Sequence, residues 1–172
     1  KKKKLYTNKK LPRGNIYEKL IKNYNVGILT AVIRKSFYLK LKEKFDERFS
    51  IIGDFDLFLR LSKLYIFESI QTPLASYRLH GRNLSIIKKE KEIEELEIWL
   101  SENKCDLNAF NKKNINQNIN DKKFVNYKIE GNYKECMKMI LDSKINIFNI
   151  KNSILFFTPI ILLKKFLWYH QD

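Results

Sequence analysis

Ser50-Ile51-Ile52-Gly53-Asp54-Phe55-Asp56-Leu57-Phe58-Leu59-Arg60 sets two carboxylates and one guanidinium into an otherwise apolar run. Phe55, Leu57, Phe58, Leu59 and Leu61 recur at spacings that bury a helix on most of its faces. Two explanations for carboxylates in such a helix stand open. In the first, Asp54 or Asp56 caps the helix, accepting a hydrogen bond from a free N–H and placing negative charge at the positive end of the dipole. Asp56 then also pairs with Arg60 at i,i+4, the acid leading, and the carboxylates only hold structure together. In the second, Asp54 follows a glycine that permits close backbone approach and serves as a catalytic carboxylate at the mouth of a cleft.

The chain around this stretch has 172 residues, 44% apolar and 13% aromatic, which suits one domain with a packed core or a large piece of one. Lys and Arg number 34 against 19 Asp and Glu, a net charge of +15. Such charge is compatible with nucleic acid, an anionic membrane surface or nucleotide diphosphates. Lys, Ile and Asn crowd the whole sequence, as AT-rich coding produces, and most lysines alternate with apolar residues as solvated faces do. The charge is therefore discounted as a sign of nucleic acid, and no basic-aromatic signature of an RNA-binding sheet is present. Cys105 and Cys136 form no C-x-x-C pair, so neither a disulfide framework nor a zinc site is indicated and a reducing cytosol fits best. His80 and His170 are too few for a centre built from several imidazoles. The chain opens on Lys1 with no apolar signal segment in its first ten residues, and is expected to be a piece of a longer protein. Its longest apolar run, 154–163, is too short to span a bilayer and is interrupted by Thr158-Pro159.

In chain order, Leu11-Pro12-Arg13-Gly14 is turn chemistry, and Asn15 is placed to cap a short helix with Ile16, Leu20 and Ile21 on one face. Residues 28–33 read as a buried strand or extended segment, and 34–41 as a helix with Phe37 and Leu41 inward. Residues 65–69 and 73–79 read as two short strands. They lead into Tyr77-Arg78-Leu79-His80-Gly81-Arg82-Asn83-Leu84-Ser85, a second polar cluster at a strand exit. Residues 88–100 predict a helix with an apolar stripe of Ile93, Leu96, Ile98 and Leu100. The Asn-rich stretch 103–121 reads as a linker. Residues 122–129 and 133–141 read as a helix pair broken at Gly131-Asn132, with Phe124, Tyr127, Met137 and Ile140 spaced to pack together. In the last segment, 147–169, Thr158 is placed as an N-cap before Pro159.

The order Leu11-Pro12-Arg13-Gly14, 28–33, Phe45-Asp46-Glu47, Gly53-Asp54-Phe55-Asp56-Leu57-Phe58-Leu59-Arg60, Pro73-Leu74 and Tyr77-Arg78-Leu79-His80 with Asn83 and Ser85 resembles the C-terminal half of a bacterial family 2 glycosyltransferase of the surface-polysaccharide type. The resemblance covers residues 11–87. It implies an α/β chain with 1–87 as the acceptor-side part of a GT-A glycosyltransferase domain; outside the resemblance, 88–172 reads from its own pattern as a helical C-terminal extension. Asp54 falls on the family's catalytic base, which accepts the acceptor hydroxyl proton during inverting transfer from a nucleotide-sugar donor to a glycan or lipid-linked acceptor. Arg78 and His80 match its Tyr-Arg-x-His, implying contacts to the donor diphosphate or, for His80, to a metal, although His80 may also be read as a strand-end histidine held by a carbonyl. Asp56 and Arg60 would brace the helix. Where the family has a glutamate before the aspartate, this chain has Gly53.

The resemblance further implies an Mg²⁺- or Mn²⁺-dependent enzyme whose Asp-x-Asp metal ligand and nucleotide-binding half lie outside this sequence, so that the chain alone lacks donor binding. The C-terminal segment, apolar and carrying Lys164, Lys165, Phe166, Leu167, Trp168 and Tyr169, suits either a helix in a membrane interface or one buried within its own domain. The expected location is cytoplasmic, peripheral at the inner membrane. The alternatives are a non-catalytic helical interaction or membrane-associated module, for which the basic charge and apolar C-terminus speak, and a decayed gene fragment.

Overall fold

The structure, a computed structural model, describes residues 9–78, 80, 83–142 and 147–162. The first eight residues, Leu79, Gly81 and Arg82 of the second polar cluster, and the 163–172 tail with Lys164, Lys165 and Trp168 lie outside them. The described chain is helical: α1 (Tyr17–Lys22), α2 (Lys35–Lys40), α3 (Gly53–Leu64), α4 (Leu84–Ile87), α5 (Lys89–Asn103), α6 (Ala109–Ile129), α7 (Tyr133–Asp142) and α8 (Ile147–Phe157). The α/β GT-A expectation is thereby overturned, because the described residues contain no strand and only one isolated bridge, between Gly14 and Phe67.

The reason lies in what a strand needs beside it. Residues 65–70 do alternate, Tyr65, Phe67 and Ser69 half-buried and Ile66, Glu68 and Ile70 exposed, the period of a strand with one covered face. Phe67 exchanges both backbone hydrogen bonds with Gly14, at 3.0 and 2.7 Å. The next such antiparallel pair would join residue 69 to residue 12, and Pro12 has no N–H to give. Side chains take over there: Ser69 Oγ donates to the Leu11 carbonyl (3.3 Å), and Gln71 Oε1 accepts from the Leu11 N–H (2.9 Å). Residues 28–33 are not a buried strand either; they open with a 3₁₀ turn, Ile28–Thr30, and Val32 is 96% exposed.

The described residues up to Ile115 form one compact unit and those from Asn116 a second. In the first, α3 is the central element. Phe55, Leu57, Phe58, Leu59 and Leu61 are all buried, and Leu57, Phe58 and Leu61 join Leu41 in one apolar cluster. Helix α1 packs on α3 with Ile16, Leu20 and Ile21 inward; Asn15 Oδ1 accepts the Tyr17 N–H at 3.4 Å. Phe37 of α2 stacks flat on Tyr65, ring centres 4.0 Å apart. Helix α5 turns Ile93, Glu95, Leu96 and Trp99 inward, while Ile98, expected in that stripe, is exposed.

The expected linker at 103–121 is instead largely helix. Asn108 Oδ1 accepts the Asn111 N–H (2.8 Å) and starts α6, whose inward positions are Asn111, Ile115, Ile119, Phe124 and Lys128. Two of those five are polar, which hid the 3.6-residue period from a hydrophobic pattern. In the second unit α6 and α7 break at Gly131 as expected, with φ +78° there. Cys136, not Met137, is the buried residue of α7, its Sγ 3.7 Å from the Phe124 carbonyl. Lys128 Nζ donates to the Leu155 and Phe156 carbonyls, placing a cation at the C-terminal end of α8 where the dipole favours one. Thr158 closes α8 rather than capping a new helix: its Oγ1 donates to the Ile154 carbonyl at 2.8 Å. Among the described residues no helix is long and apolar enough to cross a membrane.

Candidate functional site

The candidate residues of 50–60 gather at the N-terminal end of α3. A helix start leaves its first backbone N–H groups without intrahelical partners, and this one is buried, so those groups must be met by protein. The Ile52 N–H at the cap position, and the two N–H groups before it, are met from α5. Glu95 Oε1 accepts the Ser50 N–H (2.9 Å) and hydroxyl (3.0 Å), and Oε2 accepts the N–H groups of Ile51 (2.8 Å) and Ile52 (3.0 Å). Burial pushes the Glu95 carboxyl up, but the hydrogen bonds from Ile52, Ile51 and Ser50 together outweigh it and hold the group below its ordinary value. Ile52, the residue before the helix, offers no side-chain bond, but Asp54 of the first turn accepts the otherwise unpartnered Phe55 N–H, as the capping explanation expects.

One turn along α5, the Trp99 indole Nε1–H donates to Asp56 Oδ1 at 3.0 Å. The other oxygen, Oδ2, accepts from Arg60 Nη2 (2.7 Å) and Nε (3.0 Å), and Arg60 also donates to the Glu43 and Lys44 carbonyls. Asp56 thus has both oxygens engaged by protein and is buried. It is a structural tie between α3, α5 and the 43–44 loop.

Asp54 is different. Half-buried, it accepts the N–H of the next residue, Phe55, at 2.8 Å, and its own N–H and the Tyr24 side chain also favour its ionised form. Burial raises its pKa above the ordinary aspartate value; the Phe55 and Tyr24 hydrogen bonds offset part of that, and the Glu92 carboxylate of α5 adds to the rise. Around it runs an edge-to-face aromatic series, Tyr24 to Phe55 at 5.5 Å and Phe55 to Trp99 at 5.1 Å. A carboxylate with an elevated pKa is a stronger proton acceptor than an ordinary aspartate. Gly53 does not owe its place to crowding: a Cβ there would stand 3.7 Å from Phe45 Cδ1, ordinary contact.

Arg78 and His80 make no direct bond to this place. Both are exposed, and among the described residues no hydrogen bond or ion pair joins either to Asp54. Their local order comes from Asn83, whose Oδ1 accepts the His80 N–H (2.6 Å) and whose Nδ2 donates to the Tyr77 hydroxyl (2.8 Å) and the Arg78 carbonyl (3.2 Å). A shallow groove of about 340 Å³ lies elsewhere, lined by Leu41, Lys42, Glu43, Arg60, Lys63 and Leu64. The residues present do not fit a divalent metal: no three His, Cys, Asp or Glu side chains converge among the described residues, and Asp56, the second acid of the Asp54-Phe55-Asp56 spelling, is already spent on Arg60 and Trp99.

Glu95, Trp99 and Tyr24 are the site residues that sequence reasoning missed. The one available signal was that Glu95 falls on the same helical face as Leu96 and Trp99. No family model matches this chain, nor does any curated protein or solved structure.

Proposed function

We propose that the chain takes part in glycosyl transfer, with Asp54 as the acceptor-side base. A carboxylate oxygen of Asp54 takes the proton of an acceptor hydroxyl as that oxygen bonds to the anomeric carbon of a nucleotide sugar. The bond from the anomeric carbon to the diphosphate breaks with its electron pair on the leaving group, and the centre inverts. Arg78 and His80 supply positive charge and hydrogen-bond donors to that diphosphate. The observation that carries the proposal is the contrast between two acids two residues apart: Asp56 is saturated by Arg60 and Trp99, whereas Asp54 meets no cation among the described residues and burial raises its pKa. The Glu95 cap and the Asp56 tie hold the Asp54 backbone in place, as a general base requires.

A second function, as a non-catalytic helical module, is favoured by one observation: Arg78 and His80 are exposed, and among the described residues no hydrogen bond or ion pair joins either to Asp54. Nucleoside diphosphate release distinguishes the two. The protein is incubated with a panel of nucleotide sugars and a lipid-linked glycan acceptor; Asp54→Asn should abolish release with its far-UV circular dichroism unchanged. Release that persists in Asp54→Asn refutes the catalytic assignment and leaves the module, as does no release with any donor when the chain is joined to the nucleotide-binding half that the resemblance implies.

A further inference from the structure

Helix α7 is strongly two-sided, and its outward side is the apolar one. Tyr133, Met137 and Leu141 recur every fourth residue, so they share a face, and all three are exposed, Leu141 by 74%. Its buried side is reserved for Cys136. Helix α8, which packs on α7, repeats the arrangement: Ile154 is 65% and Phe157 81% exposed, and Ile161 beyond it 80%. The two surfaces are joined by rings, Tyr133 to Phe156 at 6.0 Å and Phe156 to Phe157 at 5.4 Å, both edge-to-face. Six large apolar side chains of one compact unit thus stand in solvent along a continuous surface, where scattered single residues are the norm.

The charges of α7 indicate what covers it. Lys134 and Lys138, both exposed, sit one position on from Tyr133 and Met137 and so border the apolar stripe. Asp142, one position on from Leu141, shares that bordering face with the two lysines, and Glu135 falls on the far side of the wheel. An apolar face whose border carries two lysines against one carboxylate matches the boundary of an anionic bilayer: the apolar side chains enter the acyl region, and the lysine stems lie along it with their ammonium groups at the phosphates. A groove for a peptide would instead be concave, and these residues stand outward from two adjacent helices.

We infer that the α7–α8 face is a membrane-docking surface that lies in the interface of an anionic lipid leaflet. This goes beyond the transfer chemistry and does not depend on it.

The test is flotation of the full chain with vesicles of phosphatidylcholine and phosphatidylglycerol in equal parts, against phosphatidylcholine alone. Because the whole chain carries +15, adsorption by charge must be separated from docking, so the decisive variant leaves the charge untouched. Met137→Ser with Phe157→Ser, both at exposed positions, should lower partitioning onto mixed vesicles by about tenfold or more. Lys134→Gln with Lys138→Gln should reduce the preference for mixed over neutral vesicles while retaining the weaker binding to both. Equal partitioning of the serine variant and the unaltered chain means charge adsorption alone and overturns the inference, as does no flotation of the unaltered chain. Light scattering supplies the remaining arm: a dimer that the serine variant turns into a monomer identifies the face as a contact between copies and overturns it too.

Discussion

Replacing Glu95 with Gln tests whether α5 holds the start of α3. The substitution preserves shape and creates no cavity, so its cost comes from hydrogen bonding and from the lost charge, which faces the helix start and Lys91 at 3.9 Å. One end of the new amide is an NH₂ and cannot accept. Its cheaper orientation faces Ser50, whose hydroxyl can turn to accept, leaving the Ser50 N–H without its partner; the Ile51 and Ile52 N–H groups keep an acceptor that is no longer charged. An N–H left without a partner costs about 1–3 kcal/mol, and losing the anion at the helix N-terminus about 0.5–1 kcal/mol more. With Ser50 partly open to water, the expected loss is about 2–3 kcal/mol near neutrality, read from urea denaturation followed by far-UV circular dichroism. The pH dependence adds a second check. The folded carboxyl lies below its ordinary value of 4.5, so its contribution is complete above that value and disappears as pH falls through the lowered one. The gap between the unaltered protein and Glu95→Gln should therefore close in acid. A difference under about 0.5 kcal/mol near neutrality, or one that does not narrow in acid, refutes the capping role.

Asp56→Ala should cost more than a surface substitution, about 3–4 kcal/mol by the same denaturation, because it strands both the Arg60 guanidinium and the Trp99 N–H. Asp54→Asn should act in the opposite sense. The raised pKa of Asp54 means that ionisation weakens the fold as pH rises above the ordinary value of 3.8, so the amide variant, still able to accept from Phe55, should be more stable near neutrality while losing transfer; a destabilised Asp54→Asn contradicts this. Gly131→Ala should cost about 1 kcal/mol through backbone conformation alone, since φ is +78° there and nothing lies within 4 Å of the added Cβ; equal midpoints in thermal unfolding exclude it.

Much of the helical content was legible in periodicity. The burial of Phe55, Leu57, Phe58, Leu59 and Leu61 in α3, the inward faces of α1 and α2, and the break at Gly131 all follow from spacing and turn chemistry. The strands at 28–33 and 65–79 did not materialise because apolar composition and alternation describe only one chain. A strand also needs a neighbour with N–H and C=O groups to pair, and Pro12 removes the donor that would have extended the Gly14–Phe67 bridge. Helix α6 was hidden for the converse reason, since Asn111 and Lys128 occupy inward positions where a hydrophobic pattern expects apolar residues.

The same division runs through the candidate site. The sequence by itself determined that Asp54, Asp56 and Arg60 ride on one buried helix, with Asp56 and Arg60 a turn apart, because helical geometry is local and repeats every 3.6 residues. Only the tertiary structure decided what those acids meet. Glu95 and Trp99, about forty residues later, reach across from α5 to cap the helix and occupy Asp56, while Tyr24 and Glu92 set the surroundings of Asp54. Hydrogen bonds act over about 3 Å of space irrespective of separation along the chain, so whether an acid serves as a brace or stays open to a proton is settled by which side chains folding brings to it.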